Sequence, residues 1–319
     1  MLKTASKVTI NTGNVLNLID IKKKAGQNVT EELSESIKLT LSEWSNQNGH
    51  IQNGTAHTDD SDYMVVPTSA NSEVVNITRP HDDVQNKMAE EERKNLKIGV
   101  KIFINEDSTT ALRECLENVF TALRTEHIEN VILAYNPDLT HREEVKDDAK
   151  INSAFTKASP ISLGSNVVRM PSTEMEPDSE ADAKKCEAIL PGIKVLWAVL
   201  EEYVKEGRVQ QLGVADVGGG CLYKLHAWAH IKPSIAQINL ASCCVVPPTL
   251  HEFCKTNDVQ LLTHGDPPDF LSLAAIKTLS DAGIGCNNLD WCARYQVHIK
   301  CRGVLALKGY VCKATLGKK

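Results

Sequence analysis

The stretch IKVLWAVLEEYVKEGRVQQLGV, residues Ile193–Val214, decides the fold. Its first part, Ile193–Val204, reads as a helix. Gly207 is the stop signal, because glycine takes the left-handed conformation in which helices commonly end. Strand Gln211–Val214 follows at once. A helix, a glycine turn and a short β-rich run form one unit of an α/β fold. The same alternation continues on both sides of this unit.

Downstream, the pattern predicts helix Cys221–His230, strand Ile235–Asn239, helix Pro248–Asn257 and strand Val259–Thr263. Two further helices are expected over Asp269–Ala282 and Asp290–Lys300, and a last strand over Gly303–Leu307. Upstream, Ile98–Ile104 is a strand with Val100, Ile102 and Ile104 on one face. Ser108 caps a helix over Ser108–Arg124, whose stripe is Ala111, Cys115, Val119 and Ala122. Val131–Ala134 is an apolar strand ended by Asn136-Pro137. Nearer the start, Val8–Asn11 and Val74–Ile77 read as short strands. Thr30–Trp44 reads as a helix on the spacing of Leu33, Ile37 and Leu41, and polar His81–Asn95 carries a weaker helical pattern. About eight strands separated by helices is the count of a (β/α)8 TIM barrel, which needs roughly 250 residues. Pattern alone also admits an open doubly wound sheet. The expected organisation is one barrel domain over 1–319 with a long inserted loop. Segments 46–71 and 138–185 lack periodicity and are expected to be mobile.

Composition narrows the function. The 319 residues are 42% hydrophobic and 24% charged, ordinary values for a globular protein, and the net charge is −6. This balance gives no general attraction to nucleic acid or anionic membrane. No secretory signal and no transmembrane span are read near the start. The expected location is therefore cytoplasmic, and the ten cysteines are expected to be mostly thiols. No Cys-x-x-Cys pair is present to begin a zinc site, so no metal is expected. Glycosylation triplets at Asn28, Asn53 and Asn76 are chance matches in such a compartment.

Leu200–Val209, running into Leu212-Gly213-Val214, resembles an aldo-keto reductase signature, the helix and glycine turn that feed the fifth barrel strand. Lys232-Pro233 with Gln237-Ile238-Asn239, and Arg294-Tyr295 through Lys308, are similar to later units of that family. A second resemblance covers more of the chain. Gln237–Pro248, with its Cys243-Cys244-Val245-Val246-Pro247-Pro248 run, resembles the modifier subunits of glutamate–cysteine ligase, as does Gln260–Pro267. Thr12-Gly13-Asn14, Leu41–Ser45, Lys300–Gly303 and Lys308-Gly309-Tyr310 also match. The resemblance implies a non-catalytic light subunit without a cofactor. It would bind the catalytic heavy subunit as a heterodimer, improve substrate use and relax inhibition by glutathione. The alternatives are an NADPH-dependent aldo-keto reductase and a barrel that binds NADPH as a sensor.

The reductases use a tyrosine proton donor tuned by Lys, His and Asp, because a phenol of pKa about 10 needs a nearby cation to protonate a carbonyl. Lys101 aligns with the family lysine, and Tyr135 stands where the family has histidine. Both are vestigial catalytic candidates. The Asp and Tyr of the second strand have no counterpart; Tyr63, after Asp59, Asp60 and Asp62, is wrongly spaced. The family's Ser-Asn that holds the nicotinamide is Ala215-Asp216 here. Gln237 and Lys308 remain as cofactor-binding candidates, but Gly309 follows Lys308 and Ala314 replaces the phosphate-binding arginine. Gly218-Gly219-Gly220 reads as a turn rather than a phosphate cradle. His264 and Asp266 read as loop structure rather than an acid–base pair. Cys243 and Cys244 are either buried apolar thiols or thiols at a partner interface able to form an intersubunit disulfide.

Overall fold

A computed structural model describes residues 6–18, 29–51, 74–137, 180–239, 246, 248–267, 270–271, 273–281 and 284–317. In chain order the elements are β1 (Lys7–Asn11), α1 (Val29–Ile51), β2 (Val74–Thr78), α2 (Val84–Ala89), β3 (Leu96–Ile104), α3 (Thr109–Leu123) and β4 (Ile128–Tyr135). They continue with α4 (Glu180–Lys205), β5 (Val209–Ala215), α5 (Gly219–Trp228), β6 (Ile235–Asn239), α6 (Pro248–Thr256), β7 (Gln260–His264), α7 (Leu273–Asp281), β8 (Cys286–Ile299) and β9 (Val304–Leu316).

The repeating units form for local reasons. Ser108 Oγ accepts from the Ala111 N–H at 3.2 Å and so caps α3. Leu112, Cys115, Leu116, Val119, Phe120 and Leu123 then fall on one buried stripe of that helix. Beyond α4, Gly207 has φ +74° and turns the chain into β5, as the glycine stop signal predicts. The strands β3 to β7 run parallel in sequence order, each joined to the next through a helix.

Among the described residues nine strands form one sheet, ordered β2-β1-β9-β8-β3-β4-β5-β6-β7. Five neighbouring pairs are parallel; β1–β9, β3–β8 and β8–β9 are antiparallel. The α/β class therefore stands. The eight-strand barrel pattern is modified, because β8 and β9 form a long hairpin between the first two strands and β3. No pairing joins β2 to β7 among the described residues.

That hairpin corrects the expected helix over Asp290–Lys300. Trp291, Ala293, Tyr295 and Val297 are all fully buried in one cluster, while Cys292 belongs to the cluster on the other side. Burial on alternate residues is the period of a strand, not of a helix. Gly303, at φ +61°, closes the turn, and β9 runs on to Leu316, beyond the expected end at Leu307. Two other boundaries move. Helix α1 takes in residues 46–51 of an expected loop, and α4 takes in 180–185 of the expected insert. The rest of both segments, 52–71 and 138–179, lies outside the described residues, and so does Tyr63.

Side chains alternate across the sheet and build two large cores, with a small cluster of Ile132, Ala215 and Ile235 besides. The larger lies under α3, α4, α5 and α6 and includes Val100, Ile102, Ile104, Leu196 and Trp197. The second lies under α1 and α7 and includes Ile10, Leu33, Ile37, Phe103, Leu279, Cys292 and Cys312. Lys101 and Phe103, two residues apart on β3, share this second face.

Candidate functional site

The second face carries a polar cluster near the carboxyl ends of β5, β6 and β7, buried at Lys101 and Asp266 and exposed at Asp216. Lys101 projects from β3, Asp216 follows β5, Asn239 ends β6, His264 ends β7, Asp266 lies two residues further on, and Arg294 comes from β8. Register brings Lys101 and Arg294 directly opposite each other on antiparallel strands. Two cations so placed repel unless an anion lies between them, and Asp266 supplies it. Lys101 Nζ donates to Asp266 Oδ2 at 2.8 Å. Arg294 donates to both carboxylate oxygens, through Nη2 to Oδ2 at 3.0 Å and through Nη1 to Oδ1. Such forked pairs fix geometry as well as charge.

His264 joins this cluster to Asp216, its Nε2 lying 2.9 Å from Asp216 Oδ1. Its Nδ1 faces Asp266 in two ways: it accepts from the Asp266 N–H at 3.2 Å, and it lies 3.3 Å from Asp266 Oδ2. The first contact suits neutral imidazole and the second the protonated ring. Asn239 Nδ2 donates to the Asp266 carbonyl at 2.6 Å. Phe103 and Phe270 stack beside the cluster, with ring centroids 3.7 Å apart. Lys101 Nζ and the Arg294 guanidinium lie 5.3 and 5.5 Å from the centroid of the Phe103 ring.

Burial opposes ionisation of Asp266, but the bonds from His264 and Arg294, together with Lys101, outweigh it and hold the carboxyl well below its usual range. Burial also lowers Lys101, an effect that Asp266 only partly offsets. For His264, burial is again opposed, here by bonds to Asp216 and Asp266, and the balance raises it above its ordinary value.

The candidates read from the sequence do not converge. Tyr135 pairs with Ile104 while Lys101 pairs with Ile132, so the two side chains leave opposite faces of the sheet. The Tyr135 hydroxyl packs against Gly192 of α4, where an added Cβ would lie 2.4 Å from it. Lys101 is committed to Asp266. Lys308 Nζ is paired with Glu32 of α1 at 2.6 Å, and Tyr310 donates its hydroxyl to the same carboxylate. Gln237 keeps a buried Oε1 without a partner. Cys243 and Cys244 lie outside the described residues.

Reductases of this fold hold a nicotinamide cofactor, but these residues do not fit one. Gln237 offers a buried acceptor without a partner. Asp216 is occupied by His264, Lys308 by Glu32, and Ala314 is buried in the second core. Among the described residues no three His, Cys, Asp or Glu side chains are grouped to hold a metal ion. No described helix is long and apolar enough to cross a membrane.

Sequence reasoning missed the cluster. It treated His264–Asp266 as a loop and placed Arg294 in a helix. The available signal was the strand-end run His264-Gly265-Asp266, together with a lysine inside the apolar strand Ile98–Ile104.

The aldo/keto reductase family model matches residues 81–265, more than half of the chain, and the chain belongs to that family. Within it, the chain is similar over nearly its whole length to proteins of one name. The "Glutamate--cysteine ligase regulatory subunit" of Mus musculus is 28% identical over 98% of this chain and 94% of its own length. The protein of the same name in Homo sapiens gives the same three values. The solved aldose reductase of Giardia lamblia is similar at 16% identity and a TM-score of 0.33, over 55% of this chain and 47% of that one.

Proposed function

We propose that this chain is a non-catalytic regulatory subunit of a glutamate–cysteine ligase in glutathione biosynthesis. It acts in the cytoplasm by binding the catalytic heavy subunit as a heterodimer, improving its use of substrate and relaxing feedback inhibition by glutathione. Similarity to regulatory subunits over 98% of the chain carries the reading. The cluster geometry supports the absence of reductase activity. A proton-donating tyrosine needs a cation beside it, and Tyr135, at the family's histidine position, leaves the opposite face of the sheet from Lys101. An NADPH-dependent reductase and an NADPH sensor are disfavoured because Lys308 is paired with Glu32.

Affinity purification of the tagged chain from cytosol tests the reading, with the ligase heavy chain as the expected co-purifying partner. The same pure chain is mixed with NADPH and small aldehydes. Turnover at ordinary enzymatic rates, on the order of 1 s⁻¹ or more, without a co-purifying heavy chain would overturn it.

A further inference from the structure

In the second core, Cys292 of β8 and Cys312 of β9 occupy facing positions on antiparallel strands. Their sulfurs are 2.9 Å apart. They lie in one row across the sheet, Ile10–Cys312–Cys292–Phe103–Ala134, held by pairing on both sides. Facing residues on antiparallel strands have Cα atoms about 4.5 or 5.5 Å apart, depending on the pair type. Both separations fall within the roughly 4.4–6.8 Å span of disulfides. The sulfurs need to approach by only about 0.9 Å to reach the bonded distance of roughly 2.0 Å. The backbone is therefore already placed for a bond.

We propose that Cys292 and Cys312 are a modification site, a thiol pair that closes into an intrachain cross-strand disulfide by exchange with a low-molecular-weight disulfide. One protein thiolate attacks a sulfur of the small disulfide, breaking its S–S bond and releasing one small thiolate. The second protein thiolate attacks the resulting mixed disulfide and expels the other. Two electrons pass from the cysteines to the small disulfide, and the two protein thiol protons leave on the two released thiols. This inference stands apart from the regulatory reading above.

Burial sets the rate. Both side chains are at most 1% exposed, and burial, followed by the contact with Cys312, pushes the Cys292 thiol well above its usual range. Since the thiolate is the nucleophile, exchange waits for the hairpin to open. Once formed, the bond is shielded from reductants by the same packing. It ties β8 to β9 across the row next to Arg294 and Tyr310, which face each other.

The test uses the full chain held with oxidised glutathione, once in plain buffer and once at a denaturant concentration just below the unfolding transition. Free thiols are then alkylated, and the chain is digested with trypsin and an endoproteinase that cuts before Asp. Cleavage before Asp290 and after Arg294, Lys300, Arg302, Lys308 and Lys313 puts Cys286, Cys292, Cys301 and Cys312 on separate peptides. The expected product is the peptide 290–294 linked to 309–313, about 2 Da lighter than the two free thiol peptides together, with a higher melting temperature for the oxidised chain. Cys286→Ser keeps the link and Cys312→Ala removes it. If Cys292 and Cys312 are both alkylated under both conditions, or are joined to other sulfurs, the proposal fails, whether or not the variants fold.

Discussion

Strand β3 presents Val100, Ile102 and Ile104 to the layer of α3–α6, and Lys101 and Phe103 to the opposite side of the sheet. The first face is an apolar core in which stabilisation follows area removed from water and each contact is small. The second face adds four charged or titratable side chains around Asp266: Lys101, Arg294, His264 and, through His264, Asp216. There the attraction must offset desolvation, and it does so only while every partner is in place. The two faces therefore differ in tolerance: one is graded, whereas the other is close to all-or-none.

The largest expected effect tests the second face. Asp266→Ala leaves Lys101 and Arg294 buried without their anion, which costs about 3–5 kcal/mol. Urea unfolding measures this as a lower midpoint at unchanged slope. A loss under about 1 kcal/mol would mean that water enters the cluster freely. On the first face, Ile193→Val removes one methylene from a fully buried position in α4. About 0.5–1.5 kcal/mol is expected, read in the same experiment. A larger loss there than at Asp266 would reverse the comparison.

The smallest effect is a slope with pH. His264 is raised in the folded chain above its ordinary value of 6.5. Its contribution is fully present below pH 6.5 and is lost as pH rises through the raised folded value. The melting temperature of the parent should therefore exceed that of His264→Gln most at about pH 6, and the margin should narrow as pH rises. A margin that widens with pH would show that the ring is held neutral in the folded chain, with Nδ1 only accepting from the Asp266 N–H.

The parallel region was legible because each strand carries its own signals. Ile98–Ile104 is apolar and bounded, Ser108 caps the helix that follows, and Gly207 ends α4 where expected. The hairpin was not, because Asp290–Lys300 mixes charged with apolar residues, and its alternation competes with a plausible helical spacing. Pairing with β3 and β9 decided the matter, and that pairing is a long-range fact. The same holds for the site. Lys101 and Asp266 are 165 residues apart, so sequence could offer each residue but not their meeting. Tyr135 is the counterpart: its place at the family's histidine position was legible, but only strand register shows that it and Lys101 leave opposite faces.

The central claim is that the chain works by binding a catalytic partner. Calorimetric titration of this chain into the glutamate–cysteine ligase catalytic subunit, under reducing conditions and with or without saturating glutamate, tests it most directly. If the chain tightens glutamate binding, glutamate must tighten subunit association by the same factor, typically about 5–150-fold. The account predicts saturable one-to-one association that strengthens with glutamate. Absence of saturable association in either condition would contradict it.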